Sequence, residues 1–176
     1  MNKRLIASSL LMLTLTAGPS DAAEPTPAWS AVVTAVHDGD TPTVRALSGP
    51  RRGQVVRVRL SCVDTPEIRW AGHWETQPRA EEARDLVKRL VLGQRVRVIQ
   101  VGGESHKRPV ARVILADGQD LGLLLVSSGL AWCDLRYCRV RRDAAYRQAL
   151  DGASQTGLGI WADTEVQTPW DWRRKK

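Results

Sequence analysis

The clearest pattern in the chain is an alternation of apolar and polar positions over residues 54–63. Val56, Val58, Leu60 and Cys62 share one face, and two arginines and a serine share the other. A period of two is typical of a β-strand with one buried face. Pro66 has no backbone N–H to donate to a ladder, so the strand is predicted to end near Val63.

Further apolar segments predict four more strands and three helices. The strands cover residues 29–36, 43–47, 95–100 and 110–115, and the helices cover residues 78–91, 121–128 and 142–154. Gly93 and Gly129 follow the first two helices, as expected of residues that end a helix. Three strands, a helix, two strands and two helices follow the order of the OB-fold. The predicted class is therefore α+β, a five-stranded OB-fold-like Greek-key barrel with three helices.

Residues 1–22 have the pattern of a secretory signal peptide. Lys3 and Arg4 precede an apolar run over residues 5–17, and small residues lead to a cleavage position after Ala22. The run is shorter than the roughly 20 residues of a membrane-spanning helix, which favours a cleaved signal over a membrane anchor. We expect a periplasmic or secreted protein that has no stable membrane association after the signal is cleaved. We expect it to be a monomer.

The remaining chain is expected to form one domain with flexible ends. Residues 23–29 are predicted to be a disordered leader, residues 30–163 the folded domain, and residues 164–176 a loosely ordered basic tail. The chain carries a formal net charge of +7, which favours an anionic partner such as nucleic acid or a membrane surface. The absence of a basic amphipathic helix in the pattern disfavours the membrane surface.

The chain has three cysteines, and their spacing suggests one pairing. In an oxidising compartment Cys133 and Cys138 could bridge across a turn, while Cys62 on the apolar strand face is predicted to be a buried thiol. The alternative is that all three stay reduced.

Acidic residues lie where two predicted strands end. Asp38 and Asp40 belong to an Asp-Gly-Asp turn, and Asp64 ends the third strand. If these strands are neighbours, the carboxylates of Asp40 and Asp64 come together, and hard oxygen ligands of this kind suit Ca²⁺. The alternative is ordinary turn chemistry, since Asp is common in tight turns.

Three charged residues near these acids suit phosphate chemistry. Arg59 could bind a phosphate through two parallel N–H groups, and Glu67 could orient or deprotonate a metal-bound water. Arg108 precedes the fifth strand. Taken singly, each arginine could equally be a solvated surface charge.

Three segments taken together resemble the motif blocks of the staphylococcal nuclease family. They are Asp-Gly-Asp-Thr at residues 38–41, Arg-x4-Asp-Thr-Pro-Glu at residues 59–67, and Arg-Pro-Val-Ala-Arg-Val at residues 108–113. The resemblance covers residues 30–163. It implies that Ca²⁺ is held by Asp40, Asp64 and the carbonyl of Thr65, with Asp38 supporting them from outside. It also implies that Glu67 activates water while Arg59 and Arg108 grip the scissile phosphate.

The segment before the second arginine departs from the family pattern. His106 and Lys107 stand where the family commonly has a tyrosine and a glycine, and Arg108 lies one residue further from the Ala-Asp-Gly turn. We therefore treat His106 and Lys107 as candidate substrate-binding residues.

The resemblance implies an exported Ca²⁺-dependent nuclease that cleaves single-stranded or frayed DNA and RNA and leaves 3′-phosphates. The alternative is a catalytically inactive OB-type module that binds single strands. A module without catalysis has no need of the full set of charged residues, so their joint presence favours the enzyme. The set is Asp40, Arg59, Asp64, Glu67 and Arg108.

Overall fold

A computed structural model describes residues 27–69, 75–133 and 144–174. In these residues the strands are β1 Ala28–Val36, β2 Pro42–Ala46, β3 Val55–Arg57, β4 Arg59–Leu60, β5 Val63–Asp64, β6 Arg95–Ser105, β7 Arg108–Ile114 and β8 Trp132–Cys133. The helices are α1 Ala80–Val91, α2 Leu121–Ser127, α3 Ala144–Gln155 and α4 Pro169–Trp172. The predicted α+β class is confirmed, with α4 as an additional short helix.

Six strands form one curled sheet in the order β3-β2-β1-β6-β7-β4. All neighbours are antiparallel except β4 and β7, which are parallel. The two edge strands, β3 and β4, are separated in the chain by Val58 alone, whose N–H donates to the carbonyl of Pro42 at 2.9 Å. One stretch of chain thus joins both edges, as in the predicted OB-fold, and the described strands do not close into a complete barrel.

The single strand predicted over residues 54–63 is divided into three. β3 pairs with β2, β4 pairs with β7, and β5 leaves the sheet to pair with β8. Cys62 has a φ of 69°, in the left-handed region that interrupts extended backbone. This change of direction places Asp64 in a different ladder, opposite Trp132.

The core lies between the inner face of the sheet and the helices. α1 contributes Ala83, Val87 and Val91, which are fully buried on one face of the helix. They join one cluster with buried valines of the sheet and with Leu121 and Leu125 of α2. Burial of each valine or leucine contributes roughly 1.5–3 kcal/mol to folding, and Cβ of Ala83 lies close to Gly39, so this packing fixes α1 beside the turn that follows β1.

The beginning of the chain differs from the prediction. Trp29 is 2% exposed and pairs with Val98 of β6, so a disordered leader that extends to residue 29 is wrong at Ala28 and Trp29. The predicted signal peptide, residues 1–22, lies outside the described residues. Among the helices that the structure describes, none is long and apolar enough to cross a membrane.

The C-terminal tail is docked rather than loosely ordered over its described part. Pro169 is buried, the Nε1 of Trp172 donates to the carbonyl of Glu75 at 2.9 Å, and the rings of Trp170 and Trp132 meet edge to face at 6.0 Å. The sequence did not predict this contact because the tail is dominated by basic residues, which are typical of an exposed segment, and its few apolar residues form no periodic pattern.

The predicted Cys133–Cys138 bridge is wrong, as is the prediction that Cys62 is a thiol. Cys62 is disulfide-bonded, whereas Cys133 is buried and not part of a disulfide. Cys138 lies outside the described residues. Spacing in the sequence does not report the direction of the Cα–Cβ bonds, and this direction decides which cysteines can bridge.

Candidate active site

The structure brings Asp40 and Asp64 together. One guanidinium spans them: Nη2 of Arg59 donates to Oδ1 of Asp64 at 2.8 Å, and Nη1 of Arg59 contacts Oδ2 of Asp40. The two acids are 8% and 4% exposed. Residues from the turn before β2, from β4 and from β5 therefore meet in one buried cluster.

One backbone donor and one side-chain donor hold the carboxylate of Asp40 in place. Its Oδ2 accepts the N–H of Thr65 at 3.1 Å, and its Oδ1 accepts the hydroxyl of Thr41 at 2.9 Å. A Cβ at Gly39 would lie 2.8 Å from Cγ2 of Thr65. The turn and the residue after β5 are thus packed too closely for any side chain at position 39.

The pairing with Arg59 keeps the cluster charged despite its burial. Burial raises the pKa of Asp40, but the charge and hydrogen bond of Arg59 lower it by more than burial raises it. The pKa of Asp40 therefore lies below its usual value. Burial likewise lowers the pKa of Arg59, while Asp40 and Asp64 raise it above its ordinary value. At neutral pH Asp40 is therefore a carboxylate and Arg59 a cation.

Asp38 lies beside the cluster and accepts a hydrogen bond from the turn that carries Asp40. Its Oδ1 accepts the N–H of Thr41 at 2.7 Å, and its Oδ2 lies 4.0 Å from the guanidinium of Arg57. Burial and then the charge of Asp40 raise the pKa of Asp38 to about 6. Asp38 therefore orders the loop that carries Asp40.

Glu67 is held by a residue that the sequence analysis did not identify. The N–H of Glu67 donates to Oε1 of Gln77 at 3.0 Å, and the N–H of Gln77 donates to the carbonyl of Glu67 at 2.8 Å. Gln77 is buried, and its Nε2 donates to the carbonyl of Gln167 at 2.7 Å. The one local sequence signal that could have identified Gln77 is its position, as a polar residue directly before the proline at the start of the predicted helix.

Burial raises the pKa of Glu67 to about 7, although contact with Arg173 lowers it. A carboxyl group with a pKa near neutrality can accept a proton efficiently at neutral pH.

Arg173 is the second residue that the sequence analysis missed. Its Nη2 donates to Oδ2 of Asp64 at 2.9 Å and its Nη1 to Oδ1 of Asp64 at 3.3 Å. The same Nη1 also contacts Oε1 of Glu67. No local pattern could reveal a contact between residues 109 positions apart.

Arg108 approaches the cluster from the β6–β7 hairpin. Its Nη1 donates to the hydroxyl of Thr41 at 3.2 Å, and its Nε donates to the carbonyl of Ser105 at 3.2 Å. Burial and then the charge of Arg59 lower the pKa of Arg108. The longer hairpin therefore still brings this arginine to the threonine that binds Asp40.

His106 and Lys107 form the two-residue turn of that hairpin. Their φ angles are 50° and 62°, as in the tight turns that suit the twist of antiparallel strands. Both are exposed and line a cleft of about 430 Å³ together with three arginines. The arginines are Arg51, Arg57 and Arg108. The structure thus places His106 and Lys107 on a basic surface rather than in the carboxylate cluster.

The acidic cluster has the chemistry of a hard-cation site with few protein ligands. Asp40 and Asp64 offer carboxylate oxygens, and Thr65 is buried next to both. Among the described residues, no group of three or more His, Cys, Asp or Glu side chains is arranged to hold a metal ion. A cation here would take two carboxylates and complete its shell with backbone, water or substrate oxygens, which Ca²⁺ tolerates.

Comparisons with known proteins agree with this geometry. The family model described as staphylococcal nuclease homologue matches residues 57–163, more than half of the chain. The chain is 27% identical over 176 residues to an uncharacterized endonuclease of Haemophilus influenzae, covering 100% of this chain and 88% of that protein. It is 30% identical over 145 residues to an uncharacterized endonuclease of Escherichia coli O157:H7, covering 82% and 84%.

A third relative has a more specific name. The chain is 30% identical over 159 residues to a protein of Shigella flexneri named micrococcal nuclease, with 84% of each chain covered. The matched region contains Arg59, Asp64, Glu67 and Arg108. The chain therefore belongs to the staphylococcal nuclease family and is a phosphodiester hydrolase.

Proposed function

We propose that the protein is an exported, Ca²⁺-dependent nuclease that hydrolyses single-stranded or frayed DNA and RNA and leaves 3′-phosphates. The observation that carries this proposal is a pair of buried carboxylates with a cation between them, with Arg108 bonded to the adjacent Thr41 and Glu67 joined to Asp64 through Arg173. Arg59 bridges Asp40 and Asp64 directly. The names of the relatives, endonuclease and micrococcal nuclease, support the same chemistry.

The two arginines suit the transition state of phosphodiester hydrolysis. Negative charge grows on the equatorial oxygens of phosphorus as water attacks, and fixed cations aimed there stabilise it. Arg59 and Arg108 are half-buried, so solvent screens their charges less than at the surface. A Ca²⁺ ion at Asp40 and Asp64 would supply further polarisation of the phosphate and of water.

Glu67 is the proposed base. With a pKa of about 7, its carboxylate can accept a proton from the attacking water at neutral pH. The bond from phosphorus to the 5′ oxygen then breaks, the 5′ oxygen takes up a proton, and the phosphate remains on the 3′ end. Gln77 fixes the backbone of Glu67 on both sides, which limits its movement during the reaction.

The cleft beside the site suits an extended strand. Arg51, Arg57 and Lys107 line it, and a basic groove attracts the phosphates of single-stranded nucleic acid with little sequence preference. We therefore assign His106 and Lys107 to substrate binding, with the protein acting as a monomer.

Export is supported by two independent observations. Residues 1–22 have the pattern of a signal peptide, and Cys62 is disulfide-bonded, which suits the periplasm or the medium rather than a reducing compartment.

One observation favours a second function, an inactive module that binds single strands. Arg173 contacts both Asp64 and Glu67, so these acids are not open to water and metal as described. A module of this kind would keep the basic cleft and lose catalysis.

The test is cleavage of heat-denatured DNA by the purified protein in Ca²⁺, in Mg²⁺ and in chelator. The proposed nuclease cuts in Ca²⁺, stops in chelator, and gives products whose 3′ ends resist a polymerase until phosphatase treatment. Tight binding of the strand without cleavage in either metal would instead establish the binding module.

A further inference from the structure

The C-terminal segment, residues 167–174, ends in the carboxylate cluster. Arg173 follows α4 directly, and its guanidinium lies on both carboxylate oxygens of Asp64 while also contacting Glu67. Its side chain is 37% exposed, compared with 75% for the neighbouring Arg174. Arg173 therefore belongs to the site, whereas Arg174 belongs to the surface.

Several contacts along the segment hold Arg173 in this position. The carbonyl of Gln167 accepts from the buried Gln77 at 2.7 Å. Trp172 donates to the carbonyl of Glu75 at 2.9 Å. Gln77 also bonds the backbone N–H of Glu67 at 3.0 Å, so the segment and Glu67 are held by the same residue.

The contacts of Arg173 overlap with those that a metal ion would need. Oδ1 of Asp64 accepts from both Arg59 and Arg173, and Oδ2 accepts from Arg173. Each carboxylate oxygen has few lone-pair directions, and like charges repel strongly in a buried site. A divalent cation on Asp64 therefore cannot coexist with the guanidinium of Arg173 in its present position.

We infer that Arg173 is a built-in competitor of the metal ion: it neutralises Asp64 and Glu67 in the metal-free protein, and metal binding displaces it together with residues 167–174. The inference rests on the metal site of the proposed function. It predicts a closed, stable metal-free state and an open state in which Glu67 can reach water.

The test is the calcium affinity of the purified protein without its predicted signal peptide, measured by isothermal titration calorimetry at fixed ionic strength. Arg173→Ala removes the competitor, and Arg174→Ala is a matched control that makes the same change in net charge one residue away. We expect Arg173→Ala to bind calcium at least tenfold more tightly than the wild type, and Arg174→Ala to bind it within twofold of the wild type. Arg173→Lys should fall between them, since lysine keeps the charge without the two-pronged contact.

A second measurement follows the segment itself. Hydrogen–deuterium exchange of residues 167–174 in the wild type should be slow in chelator and faster at saturating calcium. Equal calcium affinity of Arg173→Ala and wild type, or exchange that calcium leaves unchanged or slows, would overturn the competition while leaving the nuclease intact. Absence of calcium binding in both proteins would overturn the metal site and the competition together.

Discussion

Arg59→Ala is the substitution that probes the buried cluster most severely. It removes the guanidinium that bridges Asp40 and Asp64. Both carboxylates are buried, so solvent cannot replace the lost partner. Arg173 can still neutralise Asp64, but the bonds that remain on Asp40 come from the uncharged donors of Thr41 and Thr65. The variant therefore retains a buried carboxylate without a paired cation.

Removing one partner of a buried ion pair typically costs about 3–5 kcal/mol. For a chain of this size, each kcal/mol lowers Tm by about 2–4 °C, so the loss in chelator should be about 10 °C. Arg59→Lys keeps the charge, but a lysine can contact only one of the two acids at a time. Its Tm should therefore fall by about half as much.

The loss of stability in Arg59→Ala should depend on pH, and the direction of this dependence follows from the pKa of Asp40. In the wild type the pKa of Asp40 lies below its usual value of 3.8, so this acid contributes stability above that pH and loses it as the pH falls through the folded-state pKa. Without Arg59, burial raises the pKa of Asp40, and the variant gains stability on protonation instead. The difference in Tm between wild type and Arg59→Ala should therefore be largest near pH 7. It should begin to shrink as the pH falls through the raised pKa of Asp40 in the variant, and shrink further below the usual value of 3.8.

The assay is thermal unfolding in chelator and in saturating calcium, with Arg112→Ala as control. Arg112 bonds to the buried Asp120 at 2.6 Å, away from the site, so its loss should also destabilise the protein. Calcium should recover most of the Tm lost in Arg59→Ala and little of that lost in Arg112→Ala. An Arg59→Ala variant as stable as the wild type in chelator, or equal recovery of both variants, would refute this reasoning.

Two further predictions concern the packing around the site. Gly39→Ala places a methyl group 2.8 Å from Cγ2 of Thr65, which should destabilise the protein by roughly 1–3 kcal/mol. Gly103→Ala has no neighbour within 4 Å and should change stability by less than about 0.5 kcal/mol; urea unfolding of both variants checks this, and equal midpoints would contradict it. Gln77→Leu removes the side-chain bonds from Gln77 to the N–H of Glu67 and to the carbonyl of Gln167, so we expect a loss of roughly 2–3 kcal/mol and a fall in kcat larger than any rise in KM. Steady-state kinetics with an unchanged kcat would show that Gln77 does not position Glu67.

The strands were predictable because alternation is a local property of the sequence. The predictions for residues 29–36 and 110–115 lie within two residues of β1 and β7 at each end. The division of residues 54–63 was not predictable, because the left-handed backbone of Cys62 occurs at a residue type that rarely adopts it.

The site was predictable only where a motif carried it. Asp40, Asp64 and Arg59 belong to the segments that resemble the nuclease family, and the structure places them in contact. Gln77 and Arg173 reach Glu67 through tertiary packing of the helix start and the tail. Such contacts depend on which surfaces dock, and neither periodicity nor spacing reports that.

The most direct test of the account is single-turnover cleavage of a labelled single-stranded oligonucleotide at saturating calcium, comparing Glu67→Gln with the wild type. Glutamine keeps the shape of the side chain and cannot accept the proton from water. We predict a rate about 10²–10⁴-fold lower, with oligonucleotide affinity within threefold of the wild type. A rate within tenfold of the wild type would contradict the account, because the base would then lie elsewhere.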